Sequence, residues 1–512
     1  ESVSKTLEYA YDDWCIAQVA KVLNKENEYQ YFIQRAQAWK HIFDSNHGFM
    51  RPRFNGGWYT PFDPAEVNNN YTEANSWQYS FYVPHDIETF IQKMGGKEAF
   101  EAKLDALFQA KSSLTGREQV DITGLIGQYA HGNEPSHHIA YLYNFIGAPE
   151  KTQYYVRKIM NDFYSSKPDG LCGNEDCGQM SAWLVMSAMG FYPVTPGTTQ
   201  YSLGSPWFKK IKINFSNGKV FSIEAPGNSN ENIYIKSAMW NYSAYNSLIL
   251  NHKDILDGGT LFLEMTSTKG SSFGKTDESS KFTKIIDNQI LVSPIIEADS
   301  RTFKDSLKIT ISFERDENSA VYFTMDGSEP TVNSARYSLP FYISKSTVVK
   351  AQIINRLRQK SGITVAAYHK IDKDVKVTLK HPYNPQYHAG GSEGLVDGIR
   401  GTTNWRLGNW QGFQEADFEA VVDYGSVKII NEVGASFLQD VRSWIWMPKE
   451  VTFWFSLDGV NYNLIGSVPN SMKDDNYELK VSDFTCKLPT SAQVRYIKIL
   501  AKNYGDIPEW HA

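Results

Sequence analysis

Residues 173–183 read GNEDCGQMSAW and place three consecutive polar side chains at the mouth of a helix. Two earlier segments have the same character, YTEANSWQY at residues 71–79 and HGNEPSHHI at residues 131–139. Each sets carboxylates and amides beside an apolar, aromatic-rich run. Three such segments predict one site collected from several helix starts, where an acid, a base and cation ligands meet. The pattern is typical of a catalytic site.

The periodicity of apolar residues along the chain changes once, near residue 195. Up to about residue 195 apolar residues recur at helical spacing, as at Leu7, Ala10 and Trp14. After Pro196 apolar and polar residues alternate, and Asn217-Gly218 and Asp458-Gly459 predict β-hairpin turns. Further helices are predicted at 85–109, 119–130, 135–147, 149–165 and 178–190.

The composition excludes several classes of protein. A chain of 512 residues is too long for one core and predicts about three or four domains. A net charge of −6 offers no basic stripe, which argues against nucleic-acid binding. No run of about 18 apolar residues is present, so no membrane span is predicted. The 13 tryptophans and 30 tyrosines are compatible with carbohydrate binding as well as with core packing.

These patterns predict a multidomain α + β protein. A helical region at 1–198 is followed by three β domains of the sandwich type at 199–285, 290–372 and 375–512.

Two carboxylates are the main candidates for acid–base chemistry. Glu73 follows Asn70 by three residues, so the pair fits a helix capping box, and it also fits a proton donor whose pKa is raised by aromatic neighbours such as Tyr71 and Trp77. Asp176 precedes an apolar helix, where it fits an N-cap and equally a base kept ionised by the helix dipole. The two roles of Asp176 are compatible with each other.

The second segment offers cation ligands. His131, His137 and His138 surround Asn133 and Glu134, but no second His/Cys cluster supports a transition metal. The oxygen donors of the second and third segments suit a hard cation such as calcium better. Cys172 and Cys177 are interpreted either as a disulfide closing a small loop or as two reduced thiols.

The three segments, with NGGWYTPFDP at 55–64 and GFYPVTPG at 190–197, resemble glycoside hydrolase family 92. The opening SVSKTLEYAYDDW fits the same family, and the resemblance covers about residues 1–275. It implies a calcium-dependent, exo-acting α-mannosidase that inverts the anomeric centre. It also implies that the helical region is part of an (α/α)6 barrel completed by a β domain, and that an N-terminal sandwich and the first part of the barrel are missing here.

Carried onto this sequence, the resemblance assigns roles residue by residue. Glu73 is the general acid, and Asp176 is the base that activates water, with Asn174 assisting where some relatives carry Asp. An inverting pair is held roughly 6.5–9.5 Å apart, which leaves room for that water. The expected calcium ligands are Asn133, Glu134 and Asp176. The expected substrate contacts are Trp58, Trp77, Gln78, Glu134 and His131.

The downstream domains also resemble parts of carbohydrate-active enzymes. VYFTMDGSEP at 321–330, with Tyr337 after it, resembles the fibronectin-like C-terminal domain of chitobiases, which we interpret as a rigid spacer. LVDGIRGTTNW at 395–405, with WQGF and VVDYG, resembles a coagulation-factor type C (discoidin) domain. That likeness implies calcium ligands at Asp397 and Thr402, and sugar binding by Trp444 or Trp446.

The sequence therefore predicts an α-mannosidase that acts on mannose-containing glycans such as N-glycans or mannan, with α-1,2 linkages as the expected target. A periplasmic or secreted location is expected, with the targeting segment lost from a longer protein. The alternative is a non-catalytic carbohydrate-binding or adhesive protein. Neither the oligomeric state nor the activity of this chain alone follows from the sequence.

Overall fold

The computed structural model describes residues 2–276, 283–314, 318–372, 374–473, 475–507, 509 and 511. The chain forms two compact units. Unit 1 comprises Glu1–Ser293 with Leu357–Gly362, and unit 2 comprises Pro294–Arg356 with Ile363–Ala512. The expectation of helices first and β-rich parts afterwards is confirmed. The division into four domains and the barrel geometry stay predictions.

Unit 1 is built around long and short helices in its first two hundred residues. In α1 the predicted face, Leu7, Ala10 and Trp14, is buried, which confirms the spacing argument. Two 3-10 helices, Glu134–Ser136 and Ile139–Ile146, stand where one α-helix was predicted. The α-helices described in this unit are α1 Ser2–Val22, α2 Glu26–Arg35, α3 Ser76–Tyr79, α4 Ile87–Lys93, α5 Lys97–Gln109, α6 Pro149–Phe163, α7 Gln179–Met189 and α8 His252–Asp257.

Glycine and proline set the ends of these helices. Gly95 and Gly96 both have positive φ, so the predicted helix at 85–109 is divided into α4 and α5. Pro149 begins α6, where its missing N–H costs nothing. Gly190 adopts the left-handed conformation that ends α7.

Short strands connect the helices of unit 1, and longer ones form a sheet after residue 209. They are β1 Phe43–Asp44, β2 Phe49–Met50, β3 Arg53–Phe54, β4 Gly57–Trp58, β5 Glu66–Val67, β6 Thr115–Gly116, β7 Leu125–Ile126, β8 Tyr129–Ala130, β9 Phe191–Tyr192, β10 Gln200–Leu203, β11 Lys210–Asn214, β12 Val220–Glu224, β13 Tyr234–Trp240, β14 Ser243–Ala244, β15 Ile249–Asn251 and β16 Gly259–Thr266.

The helix predicted at 119–130 is wrong. That segment holds β7 and β8, which pair with Leu125 opposite Ala130. Gly124 and Gly127 both have positive φ there, and such backbone turns the chain instead of continuing a helix. This irregular segment lies beside the candidate site.

Unit 1 has separate helical and β cores. The helical core contains fully buried Trp39, Trp183 and Tyr141. The β core forms on a five-stranded sheet of order β11-β12-β16-β13-β14, in which β12 and β16 are parallel. The hairpin predicted at Asn217-Gly218 is confirmed, since Asn214 pairs with Val220 across it.

Unit 2 is made of three sheets, of orders β17-β19-β22, β18-β24-β23-β20-β21 and β25-β26-β29-β27-β28. The turn predicted at Asp458-Gly459 is confirmed between β27 and β28. The strands are β17 Ile295–Glu297, β18 Thr302–Phe303, β19 Leu307–Ser312, β20 Ser319–Thr324, β21 Ala335–Arg336, β22 Phe341–Ile343, β23 Thr347–Asn355, β24 Thr364–Lys370, β25 Lys376–Leu379, β26 Phe418–Gln439, β27 Glu450–Ser456, β28 Asn463–Pro469 and β29 Lys480–Ala501.

In the part of the chain that the structure describes, no helix is both long enough and apolar enough to cross a bilayer.

Candidate functional site

The first site loop presents Glu73 to solvent from a left-handed backbone conformation, with φ of 49°. The capping box predicted for Asn70 and Glu73 is wrong. Asn75 caps α3 instead: its side chain accepts from the Gln78 N–H at 3.2 Å, and the Gln78 side chain accepts from the Asn75 N–H at 3.1 Å. Because the cap is made at Asn75 and not at Asn70, the Glu73 carboxylate has no role in starting a helix.

In the third site loop, too, the helix is capped by a different residue from the predicted one. Asp176 does not cap α7, contrary to prediction, because the helix begins later, at Gln179, after Gly178. Glu175 takes that role, accepting hydrogen bonds from the Gly178 N–H and, at 3.2 Å, from the Ser181 N–H. Hydrogen bonding from the Ser181 side chain, together with the Ser181 and Gly178 N–H groups, lowers the pKa of Glu175.

Asp176 is consequently an exposed carboxylate with φ of 53°. Non-glycine residues in this region store on the order of 1–3 kcal/mol of strain and concentrate at functional sites. Glu73 and Asp176, the two residues predicted to be acid and base, therefore share an uncommon backbone conformation and lack capping roles.

A contact between two glycines joins the second and third loops. A Cβ added at Gly173 would lie 3.1 Å from the Gly132 Cα and 2.9 Å from the Thr123 Oγ1. A Cβ added at Gly132 would lie 2.0 Å from the same hydroxyl. Thr123 is held in place by two backbone hydrogen bonds. The Gly132 N–H donates to the Thr123 carbonyl, and the His131 N–H donates to the Gly124 carbonyl. Only glycine fits at this approach.

Asn133 joins the second loop to the first. Its Nδ2 donates to the Glu73 carbonyl at 3.1 Å. Glu134 follows at the start of a 3-10 helix with Pro135 after it, and its side chain is exposed. The three segments that the sequence singled out are thus neighbours in the fold.

Asp121 is part of this group although the sequence analysis missed it. Its Oδ1 accepts from the Asn174 Nδ2 at 3.3 Å, and its Oδ2 accepts from the Gln119 Nε2 at 2.6 Å. Asp121 lies in the segment 119–130 that was wrongly predicted as a helix, outside the three segments singled out from the sequence. The signal available was the pair of glycines after it, which mark a turn.

The electrostatics of the group act on Glu73. Desolvation raises its pKa, and the negative charges of Asp121, Glu134 and Asp176 raise it further, while Arg117 opposes them. The direction of the shift agrees with the expectation, but its causes are partial burial first and acidic neighbours second, and not the aromatic residues Tyr71 and Trp77. A proton is therefore held on Glu73 to higher pH than on an ordinary glutamate.

The three histidines of the second loop are buried supports. Burial lowers the pKa of His137 and His138 to about 4 and that of His131 well below its usual value. The His131 ring lies between the hydroxyls of Tyr129, at 2.8 Å, and Tyr164, at 2.7 Å. His131 is fully buried, so the structure places it behind the site and not on its surface.

The other predicted sugar contacts divide into surface and support. Trp58 and Trp77 are partly exposed. Gln78 is 2% exposed and serves the cap of α3. Gln78 was predicted to contact the sugar, but its buried side chain instead stabilises the start of α3.

The structure bears on two further expectations, the disulfide between Cys172 and Cys177 and a metal site made of protein side chains. Cys172 and Cys177 are free thiols, so the disulfide alternative is wrong for this structure. Burial raises the pKa of Cys172 to about 11, which makes it unreactive. Among the residues that the structure describes, no three His, Cys, Asp or Glu side chains converge closely enough to hold a metal ion by themselves.

Comparison with known proteins follows the same division of the chain. The family model of the glycosyl hydrolase family 92 catalytic domain matches residues 1–267, and that of the chitobiase/β-hexosaminidase C-terminal domain matches residues 298–365. A protein called an uncharacterized secreted glycosidase, from Arthroderma benhamiae, is 29% identical over 297 residues, 53% of this chain and 36% of its own length.

Two solved structures from Bacteroides thetaiotaomicron are also similar. A family 92 α-mannosidase in complex with mannoimidazole is 41% identical, with a TM-score of 0.53 over 56% of this chain and 39% of its own. A family 92 inverting mannosidase is 38% identical, with a TM-score of 0.50 over 55% of this chain and 39% of its own. The chain thus spans less than two fifths of the length of each relative.

Proposed function

The chain belongs to glycosyl hydrolase family 92, and from this premise we propose that it is an exo-acting α-mannosidase that removes terminal α-linked mannose from glycans with inversion. The observation that carries the proposal is the convergence of Glu73, Glu134 and Asp176, with Asp121 beside them, on loops that two glycines and Asn133 hold together. The relatives named as mannosidases support mannose as the sugar. An α-1,2 linkage is the expected target.

Glu73 is proposed as the general acid. Its raised pKa keeps a proton available for the leaving oxygen, and its exposed position lets that oxygen approach. Protonation in the transition state by a positioned acid contributes typically 10²–10⁴-fold, as a rough guide.

Asp176 is proposed as the base that takes a proton from the attacking water. Since Glu175 satisfies the start of α7, Asp176 is not committed to capping. Asn174 assists by orienting that water, and its own amide is held by Asp121 at 3.3 Å. Inversion needs a water between base and sugar, so the acid and base are expected roughly 6.5–9.5 Å apart.

Calcium is part of the proposal, with Asn133, Glu134 and Asp176 as candidate ligands. The donors around the site are oxygen atoms of carboxylates and amides, which suits a hard cation. Bound there, calcium would supply positive charge near the sugar hydroxyls. Water and sugar hydroxyls would complete its coordination.

The sugar contacts are proposed on the surface side of the site. Trp58 and Trp77 offer partly exposed rings for stacking on a sugar face. Glu134 faces the leaving sugar and influences linkage preference. His131 and Gln78, which are buried, act through the loop and helix that they support. A secreted or periplasmic location fits the relative that is called secreted.

Proton NMR of the 512-residue chain with a panel of α-mannobioses tests this function. We expect β-mannose to appear first, to disappear with a calcium chelator and to return with added calcium. Early α-mannose contradicts inversion, and release that ignores the chelator contradicts the calcium role. No release from any linkage, together with firm retention on a mannan column, supports the non-catalytic carbohydrate-binding alternative instead.

A further inference from the structure

Trp58 and Trp77 are the two ends of one continuous row of rings. The Trp77 ring meets Phe49 edge to face at 4.6 Å, and Phe49 lies 5.6 Å from Phe62. The guanidinium of Arg51 closes the row, 4.2 Å from the Phe62 ring centre and 5.5 Å from that of Trp58. The two tryptophans that the sequence treats separately are therefore mechanically connected.

Arg51 is fixed from behind. It is 5% exposed, and its Nη1 donates to the Asp44 Oδ2 at 2.6 Å while its Nη2 donates to the Tyr59 carbonyl at 3.1 Å. Asp44 is 2% exposed and also contacts the His47 Nδ1 at 2.7 Å. A buried ion pair is poor evidence for stability by itself, since desolvation offsets most of the attraction. Its geometry here orients a planar cation towards two aromatic rings.

Trp58 lies on a very short hairpin. Strands β3 and β4 contain two residues each and pair Arg53 with Trp58. Their turn passes through Asn55 and Gly56, both with positive φ. An isolated hairpin of this length is not stable in water, so the side chain needs another anchor.

We propose that Arg51 is the positioning residue of Trp58: held by Asp44 and the Tyr59 carbonyl, it fixes the indole in the orientation that receives a sugar ring. The inference rests on the proposed function for the identity of the sugar. A guanidinium stacks on an indole face through its plane, whereas the compact, strongly hydrated ammonium of lysine does not. The planar shape of Arg51, and not only its charge, is therefore required.

The test uses the full chain labelled with 5-fluorotryptophan, with Trp58→Phe assigning the Trp58 signal in the ¹⁹F NMR spectrum. In Arg51→Lys we expect the Trp58 signal to shift and broaden while most other tryptophan signals stay in place. We expect KM for an α-mannobiose to rise about fivefold to tenfold with kcat nearly unchanged, because a uniform binding contact is weakened.

Arg35→Lys is the matched control. Arg35 also donates to a carboxylate, Asp13, at 2.9 Å, and its guanidinium lies 5.5 Å from the Tyr31 ring centre. We expect this variant to leave both the Trp58 signal and KM unchanged. In a Trp58→Ala background we expect Arg51→Lys to have little further effect on KM, since a positioning residue acts only through the side chain that it positions.

An unmoved Trp58 signal in folded Arg51→Lys overturns the inference, as does an additive KM rise in the double variant. A fall in kcat with constant KM in a folded variant also overturns it, because a residue that only positions a sugar contact should change KM instead. If the unsubstituted chain releases no mannose, the proposed function fails, and the fluorine spectrum with equilibrium binding of methyl α-mannoside decides the role of Arg51.

Discussion

Units 1 and 2 differ in what they bury. Unit 1 encloses imidazoles and charged side chains, among them His85, His138 and Arg51, whereas in the described part of unit 2 Asp397 is the one buried side chain of this kind. Strands of unit 2 such as β19 alternate buried and exposed residues, which is sufficient to hold a sheet. Unit 1 therefore uses buried polar contacts to fix irregular loops, and those loops carry the candidate site.

The largest effect is expected from the site carboxylates of unit 1. Glu73→Gln and Asp176→Asn should each lower kcat by roughly a hundredfold or more, because the proton transfers proposed for these carboxyl groups are lost. Circular dichroism should show both variants folded. Asp458→Asn in unit 2 is the control, since Asp458 serves a turn by accepting from the Val460 and Asn461 N–H groups. Near-normal turnover by either unit 1 variant refutes its assigned role.

The next effect concerns the contact between the site loops. Gly132→Ala should lower kcat about tenfold or more. The new Cβ would lie 2.0 Å from the Thr123 Oγ1, so the two loops would have to move apart. A displacement of about 1 Å in an active site can lower the rate roughly a hundredfold, and a smaller displacement should cost correspondingly less. Gly227→Ala is the control, since a Cβ there meets its nearest atom at 3.7 Å. Equal kinetics for the two variants would contradict the importance of the glycine contact.

Acid should destabilise unit 1 more than unit 2. Burial lowers the pKa of His85, His137 and His138 to about 4, below the unfolded value of 6.5, so their contribution to stability is present above pH 6.5 and is lost as pH falls towards 4. In scanning calorimetry between pH 7.5 and 4.5, the transition of unit 1 should move down by several degrees more than that of unit 2.

The four described histidines of unit 2 are His369, His381, His388 and His511, and none of them is buried. Parallel shifts of both transitions would therefore contradict the contrast between the units.

The smallest effect is expected from Trp444 and Trp446 in unit 2. Trp444 is 61% exposed with φ of 63°, and Trp446 stacks on Tyr504 at 5.4 Å. The discoidin resemblance stays a prediction, and with it the proposal that these rings bind sugar. Replacing both by Ala should weaken retention of the chain on immobilised glycan while hydrolysis of a mannobiose stays constant. Unchanged retention argues against sugar binding at this place.

The sequence predicts best where one local signal decides the structure. The turn at Asn217-Gly218 and the start of α6 at Pro149 are confirmed because the conformations of these residues leave few alternatives. Capping was mispredicted at both of the candidate-site loops that hold Glu73 and Asp176. Asn70 and Asp176 have the right chemistry for a cap, but Asn75 and Glu175 compete with them and win through the position of the next helix.

The sequence predicts that the three segments form one site, but it does not show which contacts bring them together. Their meeting depends on the contacts of Gly173 with Gly132 and Thr123, which lie in an earlier segment of the chain and form no periodic pattern with it. Asp121 was missed for the same reason, since its importance comes from the Asn174 amide and not from its neighbours in sequence. Long-range approach is the information that local patterns lack.

The glycine contact has a consequence for anyone who wishes to change the linkage preference by directed evolution. The second and third loops touch through bare backbone at Gly132 and Gly173, so an insertion or a bulky substitution in one loop displaces the other. Libraries that randomise one loop alone will mostly sample displaced sites. Recombining both loops as one cassette together with residues 121–124 keeps the surfaces matched and should return a larger share of active clones.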